Sequence, residues 1–483
     1  VTRRTIYARG AIAVVLLALA ALALAPSRPA SAAPPATPQN IVLILTDDQR
    51  WDTLQYMPNV QSLLEAHGVT FANAFDNNPL CCPTRATIMT GLTSGHNGVW
   101  WNRGLHGGFD SFVRNGDQNR QIFLWLHAAG YRTGFIGKFL TNYRMDDLSW
   151  SMPGVDDWQP FLLDEAPAPC QTGERTAGYW ATCYDNNGAL ETHDASEYST
   201  TTSGDKAVSF IRGASPGQPL FLFYAPRAPH TPTIPEPQYA GACAGVQPLS
   251  GGPSYNQAIL RGPAYMANRA PATPAVQAMW TGLWMDDCRT LLSVDDQVGN
   301  IVQALQDTGR LNNTLIMFTS DNGFSFLEHR WHGKVVPYDE SIRVPLVIRD
   351  DAVVPPSLQG STDAGMVTSL DDTPTFLEAA GLGRSLDGTS LFPRLDGTSS
   401  SVASGDVLIE HAGGTVVPDY CGIRAPGFMY ARYATGEEEL YALSGDPYEL
   451  RNVAGLSGYA AILSSMRART RALCNPAPPG YSW

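Results

Sequence analysis

An α/β fold, with a large sheet flanked by helices and a smaller α+β region after it, is what this sequence predicts. Three observations predict it. Residues 41–45 of "NIVLILTDDQR" form a continuous apolar run closed by polar residues, the pattern of a strand buried on both faces. Helix-like and strand-like segments then alternate through residue 380. After about residue 395 the pattern shifts to a hairpin and a closing helix.

The elements follow in order. The start, "VTRRTIYARGAIAVVLLALAALALAPSRPASA", pairs a basic opening with an apolar run at 11–25 and an A-x-A cleavage site at Ala30-Ser31-Ala32. It reads as a signal peptide, 1–32, that is removed on export. The run is short for a membrane span, and Thr2-Arg3-Arg4 hints at a twin-arginine route. Residues 33–39, rich in Pro and Ala, read as a flexible leader. After strand 41–45, "NVQSLLEAHG" reads as an amphipathic helix with Gly68 as its stop. Helix 119–129 precedes strand 133–136, helix 205–212 precedes strand 219–224, and helix 294–308 precedes strand 314–319. Strand 344–348 and helix 372–380 follow. Residues 145–200 and the Pro-rich 226–275 read as long loops, which in a compact enzyme usually shape a substrate site. "FMYARYATGEEELYAL" reads as a hairpin turning at Thr435-Gly436, and "GYAAILSSMRARTRAL" as the closing helix. The expected division is a catalytic domain, 40–395, and a C-terminal α+β subdomain, 396–483.

Composition narrows the function. The formal net charge is −13, and loss of Arg3, Arg4, Arg9 and Arg28 with the leader takes it to −17. A nucleic-acid binder would need a basic footprint, so that class is disfavoured. A local cationic pocket for an anionic substrate is still compatible with this charge. Export would permit disulfides. With Cys81 and Cys82 set apart, six cysteines remain. The short loop favours Cys170–Cys183, Cys421 and Cys474 bracket the C-terminal region, and Cys243–Cys288 is the remainder. No CxxC occurs, which disfavours zinc.

Ligands bind at the carboxyl ends of strands in open α/β sheets. Asp47-Asp48, Lys138, His230 and Asp321-Asn322 all follow predicted strands. Asp47, Asp48, Asp321 and Asn322 are hard oxygen donors, suited to Ca²⁺ or Mg²⁺. The competing reading makes them turn or cap residues. Lysine is scarce: only Lys138, Lys206 and Lys334 among 32 basic residues. Lys138 and Lys334 each follow a glycine in a loop, where a compact ammonium serves better than a planar fork. Lys206, on a polar helix face, reads as solvated. Among the histidines, His230 leaves a buried strand in the Pro-rich "YAPRAPHTP" and suits a general acid. His329 and His332 flank the Lys334 loop and are candidate substrate contacts, whereas His67, His127 and His193 read as structural or surface residues.

"PLCCPTRATIMTG" raises its own question, because two adjacent cysteines, Cys81 and Cys82, precede a helix with Pro83 near its first position. They could be disulfide halves, metal ligands, or a nucleophile with a neighbour. The stretch resembles the C-x-P-x-R signature of type I sulfatases, with Cys81 first, Pro83 third and Arg85 fifth. "LILTDDQR", "GKFL", "APRAPHTP", "TSDNG" and "GKVVPYDESIRVPLVIR" appear in that family's order, over roughly residues 39–475. Within the family the chain looks most like N-acetylglucosamine-6-sulfatases, through "LCCPTRATIMTG", "GYRTGFIGKFLTNY" and "WMDDCRTLLSVDDQV".

The resemblance implies an alkaline-phosphatase-like large mixed sheet flanked by helices. It implies that a separate formylglycine-generating enzyme oxidises Cys81 to Cα-formylglycine, leaving Cys82 as a small buried neighbour. Hydrated formylglycine would supply a gem-diol that attacks sulfur and gives a covalent sulfo-enzyme. A cation held by Asp47, Asp48, Asp321 and Asn322, together with residue 81, would activate the gem-diol. Arg85 would steady it, Lys138 and Lys334 would neutralise sulfate oxygens, and His230, with Lys334, would protonate the leaving alcohol. The chain departs from the family's frequent G-K-x-H by reading Gly137-Lys138-Phe139-Leu140. Asn142, His329 or a water would then take the proton that the missing His takes. The substrate expected is a sulfated small molecule or glycan, first a glucosamine 6-sulfate and next an aryl sulfate. Formylglycine-dependent phosphonate or phosphodiester hydrolysis and a non-catalytic glycan-binding relative are the alternative functions. The mature protein is expected to be secreted or held in the cell envelope, without stable membrane insertion.

Overall fold

The computed structural model describes residues 38–143, 148–162, 170, 178–244, 246, 252–399 and 405–483. The expected signal peptide and most of the leader lie outside the described residues. The main sheet has nine strands. They are β1 (Asn40–Thr46), β2 (Val69–Phe75), β3 (Arg132–Gly137), β4 (Asp157–Pro160), β5 (Leu220–Ala225), β6 (Thr314–Ser320), β7 (Arg343–Val344), β8 (Leu346–Asp350) and β9 (Ser361–Thr368). In space β6, β1, β5, β3 and β4 lie side by side and parallel. β8 runs antiparallel between β6 and β2, β7 continues that pairing on β2, and β9 pairs parallel with β2. The sheet is therefore mixed, and its centre is β1.

The apolar run of β1 explains why the sheet is covered twice. All five residues 41–45 are fully buried. Successive side chains in a strand point to opposite faces. Ile41, Leu43 and Leu45 pack with α1 (Cys81–Thr90), α2 (Ile122–Ala128) and α5 (Asp372–Ala379) through Ile88, Phe123 and Phe376. Val42 and Ile44 pack with α3 (Ser199–Arg212) and α4 (Pro274–Asp307) through Phe210, Leu291 and Val298. Burying such side chains is worth roughly 1.5–3 kcal/mol each.

Three expectations change. The helix expected at 294–308 starts twenty residues earlier, at Pro274, with Thr273 accepting from the Val276 N–H and proline at the first position. The proline-rich composition around residue 270 hid a helix start as a loop. The helix expected at 59–68 is only a π turn, Val60–Leu64, followed by a 3-10 turn, Glu65–His67. A Cβ at Gly68 would lie 2.2 Å from the Ile348 carbonyl oxygen, so only glycine fits against β8 where the helical turns end. The expected loop 145–200 contributes β4 to the sheet edge and a hairpin of Cys183–Asn186 with Ala189–Thr192.

The C-terminal region is a four-stranded antiparallel sheet of β10 (Val407–His411), β11 (Tyr420–Ala425), β12 (Phe428–Tyr433) and β13 (Glu438–Ala442), with α6 (Ala460–Leu473). One face meets Phe75, Val336 and Tyr338. The other face meets α6 through Ile423, Tyr430, Leu463 and Met466. Disulfides join Cys170–Cys183, Cys243–Cys288 and Cys421–Cys474, the pairs expected from spacing, and Cys81 and Cys82 are free and buried.

Candidate active site

Because β6, β1, β5 and β3 are neighbours and parallel, their carboxyl ends share one edge. Asp47-Asp48 leave β1, Asp321-Asn322 leave β6, Lys138 leaves β3, and His230 lies five residues past the end of β5. Helix α1 brings Cys81 to the same edge. Every residue of α1 is buried, and Gly91 stops it in a left-handed conformation with φ 69°. Leu80, at the N-cap, offers no side-chain acceptor. The Cys82 N–H instead donates to Asn102 Oδ1 at 2.9 Å, and Pro83 has no N–H to satisfy.

The cluster is tight. Cys81 Sγ lies 3.4 Å from Asp47 Oδ1, 3.4 Å from Lys138 Nζ and 2.9 Å from Lys334 Nζ. Lys138 pairs with Asp47, and Lys334 with Asp48. Arg85 Nε donates to Asp321 Oδ2 at 2.8 Å, its NH1 donates to the Lys138 carbonyl at 2.5 Å, and its NH2 lies 3.8 Å from Asp47 Oδ2. Asn322 Nδ2 donates to Asp48 Oδ1 at 2.6 Å, and the Asp48 N–H donates to Asp321 Oδ1 at 3.2 Å. Asp48 holds φ at 68°, a costly region for a residue with a side chain. His230 Nε2 faces Asp48 Oδ2 at 3.7 Å.

Three buried carboxylates thus meet three cations. Burial works to raise the Asp47 carboxyl, but Lys138, His230, Arg85 and Lys334 together hold it well below the usual range. Asp48 is lowered in the same way, against burial, chiefly by Lys334 and His230. Burial and the charge of Asp47 push Asp321 up to about 6, against Arg85. Burial, then Lys138, lowers His230 to about 3.

The cluster could hold a metal ion. Ligand atoms of Asp47, Asp48, Cys81 and His230 all lie within 4.8 Å of one another. Two buried oxygens, Asp48 Oδ2 and Asn322 Oδ1, have no hydrogen-bond partner. Buried acceptors are rarely left so unless something else, such as an ion, satisfies them.

Other expected residues fall elsewhere. His329 is buried, 3.3 Å from Glu340 Oε2 and packed on the Tyr338 ring, so the structure does not bring it to the Cys81 cluster. Positive φ at Leu327, His329 and Arg330 turns this segment inward. His332 is exposed and stacks on Trp280 at 5.0 Å. Asn142 is half-buried and accepts from Arg103 at 3.2 Å. Lys206 is not a solvated lysine: it reaches Gln159 and Glu191 at 2.7–2.8 Å and lies over the Tyr184 ring. Helix periodicity placed it on a polar face, but the 183–192 hairpin covers that face. Asn102, which holds the Cys82 N–H, and Tyr179, whose hydroxyl donates to the His230 carbonyl at 2.8 Å, carried no local signal in sequence. Tyr179 comes from the 145–200 segment that reads as a loop.

Comparison with known proteins agrees with the class this site defines. The Sulfatase family model matches residues 39–382, and N-sulphoglucosamine sulphohydrolase, C-terminal, matches residues 327–475. The human N-acetylglucosamine-6-sulfatase is 31% identical over 80% of this chain and 70% of its own length. A solved structure described as a complex with its substrate D-glucosamine-2-N,6-O-disulfate aligns with TM-score 0.71 at 23% identity, covering 92% of this chain and 99% of that one. A phosphonate monoester hydrolase of Agrobacterium radiobacter aligns with TM-score 0.70 at 23% identity, covering 91% and 96%. The last two are likenesses of fold. The class is that of hydrolases of sulfate esters. The chain belongs to the sulfatase family.

Proposed function

We propose that the protein is an exported carbohydrate sulfatase that removes the 6-sulfate of a glucosamine-type sugar, with Cys81 matured to Cα-formylglycine. The observation that carries this reading is the convergence of Asp47, Lys138 and Lys334 on one buried residue of the C-x-P-x-R signature, with Arg85 of the same signature beside Asp47. Hydrated formylglycine supplies a gem-diol, one hydroxyl of which attacks sulfur while the other later expels sulfate. Asp47, Asp48, Asp321, Asn322 and residue 81 would hold a divalent cation, Ca²⁺ first and Mg²⁺ second, which would supply charge neutralisation at the site.

The remaining work falls to this chain's own residues. Arg85, held by Asp321 and lying beside Asp47, is the group that steadies the nucleophile. Lys138 and Lys334 face residue 81 from two sides and stabilise sulfate oxygens. His230, with Lys334, is the group that delivers the proton to the leaving alcohol: burial and Lys138 keep the imidazole neutral in the free site, and it takes up that proton at Nε2 once the negative charge of a sulfate ester lies beside it. Exposed His332 and half-buried Asn142 are the proposed contacts to the sugar, while buried His329 is left to position the Lys334 loop. With Leu140 where many sulfatases carry histidine, and with His329 buried against Glu340, Asn142 and a water are the candidates for taking the proton in the release step. Three disulfides support export. No helix among the described residues is long and apolar enough to cross a membrane. The proposed division of the chain stays at residue 395, between β9, the last strand of the mixed sheet, and β10, the first of the antiparallel one.

A panel tests the substrate reading: N-acetylglucosamine 6-sulfate, other sulfated sugars, aryl sulfates and phosphonate monoesters. The 6-sulfated glucosamine is expected to give the highest kcat/KM. A phosphonate monoester as the best substrate would favour the hydrolase seen among the structural neighbours instead.

Metal binding has its own expected outcome. Ca²⁺ should raise the Tm of the wild type, since a ligand at a hundred times its Kd stabilises by about 2.7 kcal/mol. Asp321→Asn keeps the shape of the side chain but removes a charge, and should lose most of that rise. An unchanged Ca²⁺ shift in the variant, or stoichiometric zinc in the wild type, would contradict the assignment.

A further inference from the structure

His230 sits in a turn, residues 228–233, between β5 and the proline-rich segment. Backbone bonds fix its start. The Asp47 N–H donates to the Ala228 carbonyl at 3.3 Å, and the His230 N–H donates to the Arg227 carbonyl at 3.0 Å. Nδ1 lies 2.5 Å from the Thr231 carbonyl, which leaves Nε2 as the nitrogen toward Asp48. The far end of the turn is held differently. Thr233 Oγ1 lies 3.0 Å from the Pro229 carbonyl oxygen and 2.8 Å from Asp287 Oδ1 on α4. Thr233 and Asp287 are 7% and 5% exposed.

A buried carboxyl whose bonded partner is a hydroxyl, rather than a cation, is a poor choice for stability alone. An apolar residue would fill α4 there without desolvating a carboxyl. The hydroxyl has one proton and stands between two oxygens, one of which, the carbonyl, can only accept. The chain Pro229–Thr233–Asp287 is complete when Thr233 donates to the carbonyl and a protonated Asp287 donates to Thr233. Burial, with the charges of Asp48 and Asp286, pushes the Asp287 carboxyl well above the usual range, in keeping with that arrangement.

We infer that Asp287 and Thr233 are positioning residues for His230: they tether the peptide before it to helix α4 and so fix where its imidazole meets the leaving group. The inference rests on the reading of His230 as the proton donor. A proton donor matters most when the leaving alcohol is strongly basic. Loosening the tether should therefore slow sugar sulfates far more than sulfates of acidic phenols.

The test compares N-acetylglucosamine 6-sulfate with 4-nitrophenyl sulfate on the full-length, matured enzyme. Thr233→Val removes the hydroxyl at nearly constant volume. It should lower kcat/KM on the sugar sulfate by about tenfold to a hundredfold, and on the aryl sulfate by less than about threefold. Thr233→Ser and Asp287→Asn, which keep a hydrogen-bonding group in place, should stay close to wild type. His230→Ala should show the same selectivity with a larger loss. Equal losses on both substrates for Thr233→Val, or no loss, would overturn the tether while His230→Ala still discriminates. Equal losses for His230→Ala would overturn the proton-donor reading and the inference with it. If Thr233→Val does not fold, Asp287→Ala supplies the same comparison.

Discussion

Cys81→Ala is expected to abolish turnover, with a loss on the order of 10⁵- to 10⁶-fold in kcat, the scale seen when a nucleophile is removed. Cys82→Ala is expected to keep kcat within about threefold. The two residues are adjacent, free and equally buried, so burial does not separate them. Their surroundings do. Cys81 Sγ touches Asp47, Lys138 and Lys334, all at the strand ends. Cys82 packs into the core layer with Ala86 and Ile88, and its Sγ accepts the Thr141 N–H at 3.2 Å. Truncating it removes one buried atom and one weak acceptor, which costs about 1 kcal/mol of stability. Steady-state kinetics and thermal melts of the two purified variants check this, and comparable residual activity in both would defeat the assignment.

Lys138→Arg and Lys334→Arg should each lose about a hundredfold in kcat/KM, although each keeps its charge. Both ammonium groups, buried Lys138 and half-buried Lys334, reach Cys81 Sγ while already in contact with a carboxylate. A guanidinium is planar and larger, and a displacement of about 1 Å at the reacting centre can cost roughly a hundredfold. Lys206→Arg is the control, for a reason the sequence did not show. Its ammonium pairs with Glu191 and Gln159 under a hairpin, remote in sequence and contact from residue 81. It should leave kinetics unchanged and shift stability by less than about 1 kcal/mol. Equal behaviour of all three variants would mean that the scarcity of lysine carries no information about the site.

Much of this was legible in the sequence, and the limits have physical reasons. β1 announced itself because a strand covered on both faces must be apolar at every position, and residues 41–45 are. Strand ends then located Asp47, Asp48, Lys138 and Asp321, since a parallel arrangement puts those ends on one edge. The early start of α4 was missed because proline is both a loop residue and a favoured first helical residue, and only the Thr273 cap tells them apart. His329 looked like a substrate contact by its distance in sequence from Lys334. Three left-handed residues fold that segment inward onto Glu340 instead, which spacing cannot reveal. The Asp287–Thr233 link spans 54 residues of chain and is visible only once α4 is packed beside β5.

The account turns on the chemical state of residue 81 in the working enzyme. Active protein, produced together with a formylglycine-generating enzyme, can be digested and the peptide containing residue 81 analysed by mass spectrometry after treatment with a hydrazide. The account predicts an aldehyde at position 81, captured by the hydrazide, with specific activity rising in proportion to its occupancy. Full sulfatase activity in protein whose Cys81 is an unmodified thiol would contradict it.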